Sequence, residues 1–242
     1  MAVYRNDPDL NLLGQCSNDE LQLLVSIMTT DPRDGDTRWT EGLTSTPEFR
    51  LLAPDHRRYW QLIAAEFQRY GANTLASLVR LGQGVTYREI LVDVCDKLDV
   101  NYNQKSTTET IELALLLKVL EKSLDQMTPE ELAVFSRNMH LDLTNPTPQL
   151  ILIAVQAAIR TSSLAALELA TMLSASVITS LGGIATWGTV VVASRALSVL
   201  AGPLAIALSS AWMISDIAGP AYRVTIPACI IVSWLRQQHL PR

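Results

Sequence analysis

The sequence predicts an all-α protein, and three observations carry that expectation. Helix start signals recur along the first part of the chain, each followed by apolar residues at the spacing of one helix face. No segment shows sustained alternation of apolar and polar residues, so no sheet is expected. The remainder is nearly free of charge and is cut by Gly and Pro pairs into lengths of roughly 11 to 20 residues, the size of globular helices. With 242 residues, 48% apolar and 18% charged, the chain makes one globular unit or two small ones. A disordered, collagenous or disulfide-stapled chain is excluded.

The elements follow in order. Ser17-Asn18-Asp19-Glu20 is a capping box, and Leu21, Leu24, Val25 and Met28 then line one face. Asp55 to Tyr70 forms the next helix, with Tyr59, Trp60, Ile63 and Phe67 as its apolar stripe and Gly71 as its stop. Thr86-Tyr87-Arg88-Glu89 opens a helix whose inner face is Ile90, Leu91, Val94 and Leu98. Ser106-Thr107-Thr108-Glu109 opens a longer one through Met127, and Thr128-Pro129-Glu130-Glu131 starts a short one ending near Asn138. Thr147-Pro148 is another cap and first-turn proline. From there the chain reads as helical, punctuated at Gly182-Gly183, Gly202-Pro203 and Gly219-Pro220. Pro227 either kinks the last segment or restarts a helix after an extended Tyr222 to Thr225 stretch.

Charge divides the chain at Pro146. Residues 1–146 carry 14 basic and 22 acidic groups, whereas residues 147–242 carry 5 and 2. The expected organisation is an amphipathic helical domain, 1–146, packed on a charge-poor apolar helical bundle, 147–242. Between Glu168 and Arg195 there are 26 uncharged residues, and between Arg195 and Asp216 there are 20, each long enough for a membrane span. Two costs oppose permanent spans. Gly182-Gly183 falls near the centre of the first run, and a helix from Ile184 to Ala201 carries Arg195 inside it, at roughly 2.5 to 3.5 kcal/mol near mid-membrane. A soluble bundle meets the opposite difficulty, because residues 164–235 offer only Glu168, Arg195, Asp216 and Arg223 to water. Something apolar is expected to cover this surface: the N-terminal helices, another copy of the chain, a hydrophobic protein or lipid. Its candidate contact residues are Trp187, Leu197, Leu200, Leu204, Trp212 and Trp234.

The net charge of −5 and the lack of any basic cluster larger than Arg57-Arg58 argue against nucleic acid as a partner. Cys16, Cys95 and Cys229 are odd in number and isolated, so reduced, buried thiols are expected. The start, Met1 to Leu10, lacks the basic and apolar regions of a signal peptide. The expected location is the cytoplasm, at its surface with the inner membrane or within that membrane. Asp34-Gly35-Asp36 with Glu41 has part of a calcium-loop spacing, but Thr30 and Pro32 stand where carboxylates are needed, and a polar turn is the reading. Gly82-Gln83-Gly84 follows an apolar helix and has no Lys, so it is a helix stop and not a phosphate cradle. His56, His140 and His239 show no ligand or base spacing. With no nucleophile-elbow, zincin or Walker motif, no catalytic, cofactor or metal residue is assigned and a non-enzymatic protein is expected.

Two candidate constellations remain. Arg223, set among apolar neighbours, needs an acid or carbonyls, and Asp216 and Glu168 are the acids of the C-terminal part. These three make a candidate polar clamp. The stripe Tyr59, Trp60 and Phe67, with Tyr87, is a candidate binding groove, and core packing is the alternative for residues at helical spacing.

The opening Tyr4-Arg5-Asn6-Asp7-Pro8-Asp9-Leu10 with Gln15-Cys16-Ser17, the central Asp55-His56 with Tyr59-Trp60, Tyr70-Gly71-Ala72-Asn73 and Tyr87-Arg88-Glu89-Ile90-Leu91, and the closing Ala221-Tyr222-Arg223-Val224-Thr225-Ile226-Pro227-Ala228 resemble the bacterial YaaW-like family of uncharacterised proteins. The resemblance spans nearly the whole chain and brings no catalytic residues with it. The middle portion of that family is similar to the ubiquinol-cytochrome c chaperone domain, a helical assembly factor. It implies an all-helical fold and a binding or assembly role. The charge-poor run from Leu169 to Ser215 makes the leading expectation a membrane-associating protein, with a conditional membrane-inserting effector of stress or defence as its specific form. A soluble assembly chaperone is the alternative, and a subunit whose apolar helices are covered by another chain is the third.

Overall fold

A computed structural model describes residues 3–31, 36–74, 84–180 and 221–239. The described residues are helical. An isolated antiparallel bridge between Thr30 and Thr37 is their only extended pairing, and no strand forms among them. The helices are α1 (Asn18–Thr29), α2 (Pro47–Leu52), α3 (Trp60–Thr74), α4 (Tyr87–Lys97), α5 (Thr108–Leu124), α6 (Pro129–Asn138), α7 (Pro148–Thr161), α8 (Ser163–Ser180) and α9 (Tyr222–His239). Two 3-10 helices, Pro8–Gln15 and His56–Tyr59, precede α1 and α3.

Local chemistry sets the starts. Ser17, Thr86 and Thr128 each accept from the amide three residues on, while Glu20, Glu89 and Glu131 reach back to the cap amide, which completes three capping boxes. Thr147 caps α7 with Pro148 in its first turn. The long fifth helix starts one residue later than the Ser106 signal implies, because Thr107 takes the cap and accepts from the Thr110 amide at 3.3 Å. It also stops at Leu124, short of Met127. α4 and α6 end in residues of left-handed conformation, Asp99 (φ 56°) and His140 (φ 52°), with the Val100 and Leu141 amides bonding back to Cys95 and Ser136.

One sequence expectation changes in the fold, one of two alternatives drops out, and two further elements are added. Gly71 does not stop α3, which runs on to Thr74. A Cβ at Gly71 would lie 2.3 Å from Ile90 Cγ1, so the glycine is there to let α4 approach α3. Pro227 does not restart a helix, since α9 is continuous from Tyr222 with the proline inside it. The Pro8–Gln15 helix, capped by Asp7, and α2, capped by Thr46, carry no start signal noted in the sequence.

Packing divides the chain into Met1–Glu112 with Ile217–Arg242, and Leu113–Asp216. In the first unit α9 returns to the N-terminal elements and packs on α1, α3, α4 and the Pro8–Gln15 helix. Its core holds Leu10, Leu13, Leu24, Ile63, Phe67, Ile90, Ile230 and Leu235, all fully buried. α9, apolar on nearly every side, serves as the centre of this unit, and the charge boundary at Pro146 falls inside the other one. In the second unit α7 and α8 pack against each other, with Ile151 and Val155 buried on α7 and Leu169, Met172, Leu173 and Ile178 buried on α8. Among the described residues, no helix is long and apolar enough to cross a membrane. The charge-poor run is described only as far as Ser180, and the turns at Asp34-Gly35 and Gly82-Gln83 lie outside the described residues.

Candidate functional site

The densest polar chemistry of the first unit surrounds Arg236, in the last turns of α9. Its Nε donates to Glu112 Oε2 at 2.9 Å and to Oε1 at 3.1 Å, and Nη2 donates to the Asp9 carbonyl at 2.9 Å. Asp9 Oδ1 and Glu109 Oε1 each stand 3.9 Å from the guanidinium. The Tyr87 hydroxyl donates to Glu112 Oε1 at 2.7 Å, and the guanidinium lies 5.7 Å from the centroid of the same ring. Glu112 is thus held by two donors, the Arg236 Nε shared between both its oxygens and the Tyr87 hydroxyl, although its side chain is only 1% exposed.

A second layer fixes those groups. Asp7 caps its own 3-10 helix through the Asp9 amide at 3.0 Å and accepts from the Tyr87 amide at 2.6 Å with its other oxygen. The Thr108 hydroxyl donates to Asp9 Oδ2 at 3.0 Å, and Arg88 Nη2 donates to the Gln104 and Ser106 carbonyls at 2.7 Å each. One network therefore joins the chain start, α4, the first turn of α5 and the end of α9.

The electrostatics are those of a buried acid beside a cation. Burial pushes the Glu112 carboxyl up to about 7, against Arg236 and the Tyr87 hydroxyl, which both favour the carboxylate. Burial also opposes the charge of Arg236, but Glu112, Tyr87 and Asp9 together outweigh it and raise the guanidinium further. The arrangement ties together elements distant in sequence through an enclosed acid.

Elsewhere in this unit His56 is buried, its Nε2 2.7 Å from Gln22 Oε1 and its Nδ1 2.5 Å from the Tyr59 hydroxyl. Gln22 Nε2 donates to Ser26 at 2.9 Å, which leaves its oxygen to face His56. The ring is therefore a donor at Nε2 and an acceptor at Nδ1 in its neutral form. Burial lowers its pKa, and Asp55 opposes that shift.

The residues singled out in the sequence are placed as follows. Tyr59, Phe67 and Tyr87 are buried, and Trp60 is half-buried with its ring on Tyr4 in an edge-to-face contact. Glu168 is exposed on α8, Arg223 is half-buried on α9, and Asp216 lies outside the described residues. Trp234 is buried in α9, whereas Trp187, Leu197, Leu200, Leu204 and Trp212 lie outside the described residues. Cys16, Cys95 and Cys229 are buried free thiols. Arg236 and Glu112 carry no motif or spacing that marks them in the sequence. The available signal was Glu112 itself, a carboxylate on the stripe of Ile111, Leu115, Leu116 and Val119 that the helix buries.

An all-helical protein whose last described helix is locked onto its first elements is the class that this geometry defines. The chain is 40% identical over 237 residues to a UPF0174 protein of Helicobacter pylori (strain J99 / ATCC 700824), covering 97% of this chain and 92% of that one. It is 35% identical to another UPF0174 protein of the same strain over 82% of this chain and 97% of that one. It is also 30% identical to the UPF0174 protein YaaW of Escherichia coli (strain K12), over 97% of this chain and 95% of that one. The chain belongs to the UPF0174, or YaaW-like, family. Residues 4–39, which include Asp7, Asp9, Cys16 and Glu20, match a domain of unknown function, DUF3944. No solved structure matches the chain.

Proposed function

We propose that this protein is a non-enzymatic binding protein that engages a membrane surface or a hydrophobic protein partner through its apolar C-terminal helices. The observation that carries the reading is an apolar stripe turned to solvent in the second unit. Leu150 and Ile153 on α7 are 46% and 62% exposed, and Leu164 at the start of α8 is 52% exposed. Ala157 continues the α7 stripe at helical spacing and is also exposed. Among the described residues the other exposed large apolar side chains, Val3, Trp39 and Leu51, lie apart from one another in sequence and in the other unit. The stripe precedes a run with no charge between Glu168 and Arg195, so little on this segment of sequence competes for water.

Flotation of the purified full chain with vesicles of neutral and of anionic lipid, alongside size-exclusion chromatography with light scattering, tests the reading. Flotation identifies lipid as the occupant; an oligomer that does not float identifies protein. A monodisperse monomer that floats with neither vesicle overturns the proposal.

A further inference from the structure

One turn beyond Arg236, the end of α9 brings His239 to the start of α1. His239 Nε2 lies 3.1 Å from Glu20 Oε1. Cys16, which closes the Pro8–Gln15 helix, completes a group whose three ligand atoms all lie within 4.8 Å of one another. Cys16 is fully buried, Glu20 is nearly so, and the His239 side chain is 27% exposed, which leaves the group open to solvent on one side. Glu20 is already oriented, because the Ser17 amide donates to its Oε2 at 2.6 Å and turns Oε1 toward the histidine.

We propose that Cys16, Glu20 and His239 form a binding site for a thiophilic divalent cation of the zinc type, with a fourth position left to water. The donors decide the class of metal. A thiolate, a carboxylate and an imidazole together suit zinc, whereas magnesium and calcium take oxygen alone. The thiolate and carboxylate also balance the charge of a dication. A tetrahedral zinc centre spaces its ligand atoms by roughly 3.2 to 3.6 Å. His239 and Glu20 come within about 0.1 Å of that spacing, and Cys16 Sγ closes by roughly 1 Å at most, within the reach of a side-chain rotation. The Ser17 amide supplies the outer hydrogen bond that orients the carboxylate. No feature of spacing in the sequence announces the site, because its ligands come from opposite ends of the chain.

Before binding, the Cys16 thiol donates to the Leu12 carbonyl at 3.4 Å, and burial pushes it up to about 12. On binding, the S–H bond breaks, its proton passes to the bulk buffer and a sulfur–metal bond forms, with no change of oxidation state. Uptake therefore releases protons and weakens as the pH falls.

Cobalt(II) added to the reduced full-length protein is the first probe, because a thiolate ligand gives it a charge-transfer absorption in the near ultraviolet. The expected result is a band that saturates at a single equivalent and is abolished by an equivalent of zinc. Zinc calorimetry in buffers of different ionisation enthalpy should show proton release. His239→Ala, at a partly exposed helix end, should weaken zinc binding by at least about tenfold, and Cys16→Ser should remove the cobalt band. If Cys16→Ser does not fold, His239→Ala and the proton release decide the matter. Absence of the band in the wild-type chain means that His239 and Glu20 make a hydrogen bond only, and overturns the proposal. A band that survives Cys16→Ser assigns the metal to Cys95 or Cys229, and zinc affinity unchanged by His239→Ala removes the histidine from the site; either result overturns the proposal.

Discussion

Replacing Arg236 by Met leaves an unbranched apolar side chain on α9 and takes the cation away from Glu112. The variant loses both guanidinium contacts to the carboxylate, at 2.9 and 3.1 Å, and the bond to the Asp9 carbonyl at 2.9 Å. Only the Tyr87 hydroxyl then remains among the donors that hold the acid. Its effect depends on pH. Burial raises the folded-state pKa of Glu112 to about 7 from an ordinary 4.5, so its contribution to stability is complete below 4.5 and is lost as pH rises toward 7. Without Arg236 the folded acid stays neutral to still higher pH, and each further unit costs about 1.4 kcal/mol once the solution is above it. Near pH 5 the folded carboxyl is largely neutral in both proteins, so the variant loses mainly the bond to Asp9, about 1 kcal/mol. Near pH 8 about one more unit is exposed, which brings the total loss to roughly 2 to 3 kcal/mol. Urea unfolding followed by far-ultraviolet circular dichroism at the two pH values measures both. Equal losses at the two, or a loss under about 0.5 kcal/mol near pH 8, would refute a buried acid held by this arginine.

Gly71→Ala places a Cβ within 2.3 Å of Ile90 Cγ1 and is expected to cost about 1 to 3 kcal/mol. The same change in an Ile90→Ala background should cost clearly less in thermal unfolding, and an undiminished cost would contradict the close approach of α3 and α4. His56 has its folded pKa below the usual 6.5, so its contribution is present above 6.5 and lost as pH falls through the lower folded value. Acid unfolding should accordingly become less steep in His56→Gln, and an unchanged profile would remove His56 as a cause. His140→Gly relieves a left-handed residue exposed at the end of α6 and should raise stability by up to about 1 kcal/mol, where a loss in denaturant midpoint would argue against that conformation.

What was legible in the sequence was what the chain settles within a few residues. Ser17, Thr86, Thr128 and Thr147 announce their helices because the groups they satisfy lie three residues away. Gly71 reads as a stop from its neighbours in sequence, because a glycine after an apolar stripe commonly ends a helix, and only Ile90, on another helix, makes it a point of close approach instead. The polar network was not legible in the same way. Arg236 meets Glu112 across 124 positions and the Asp9 carbonyl across 227, and only the packing of α9 on the first elements makes them neighbours. Arg223 and Arg236 bound the same charge-free stretch, and it is Arg236 that meets the acids near the chain start. The aromatic residues Tyr59, Phe67 and Tyr87 took the ordinary course of large side chains at helical spacing and became core.

The functional proposal is tested most directly by a chain carrying Leu150→Gln, Ile153→Gln and Leu164→Gln together. These side chains are exposed, so the change should leave the melting temperature close to that of the wild type. Expressed at low level and fractionated without detergent, the wild-type chain is predicted to be found with membranes or in a large complex, and the triple variant to be released as a monomer. The same distribution for both proteins, at equal stability, would contradict the claim that this apolar surface is where the protein meets its partner.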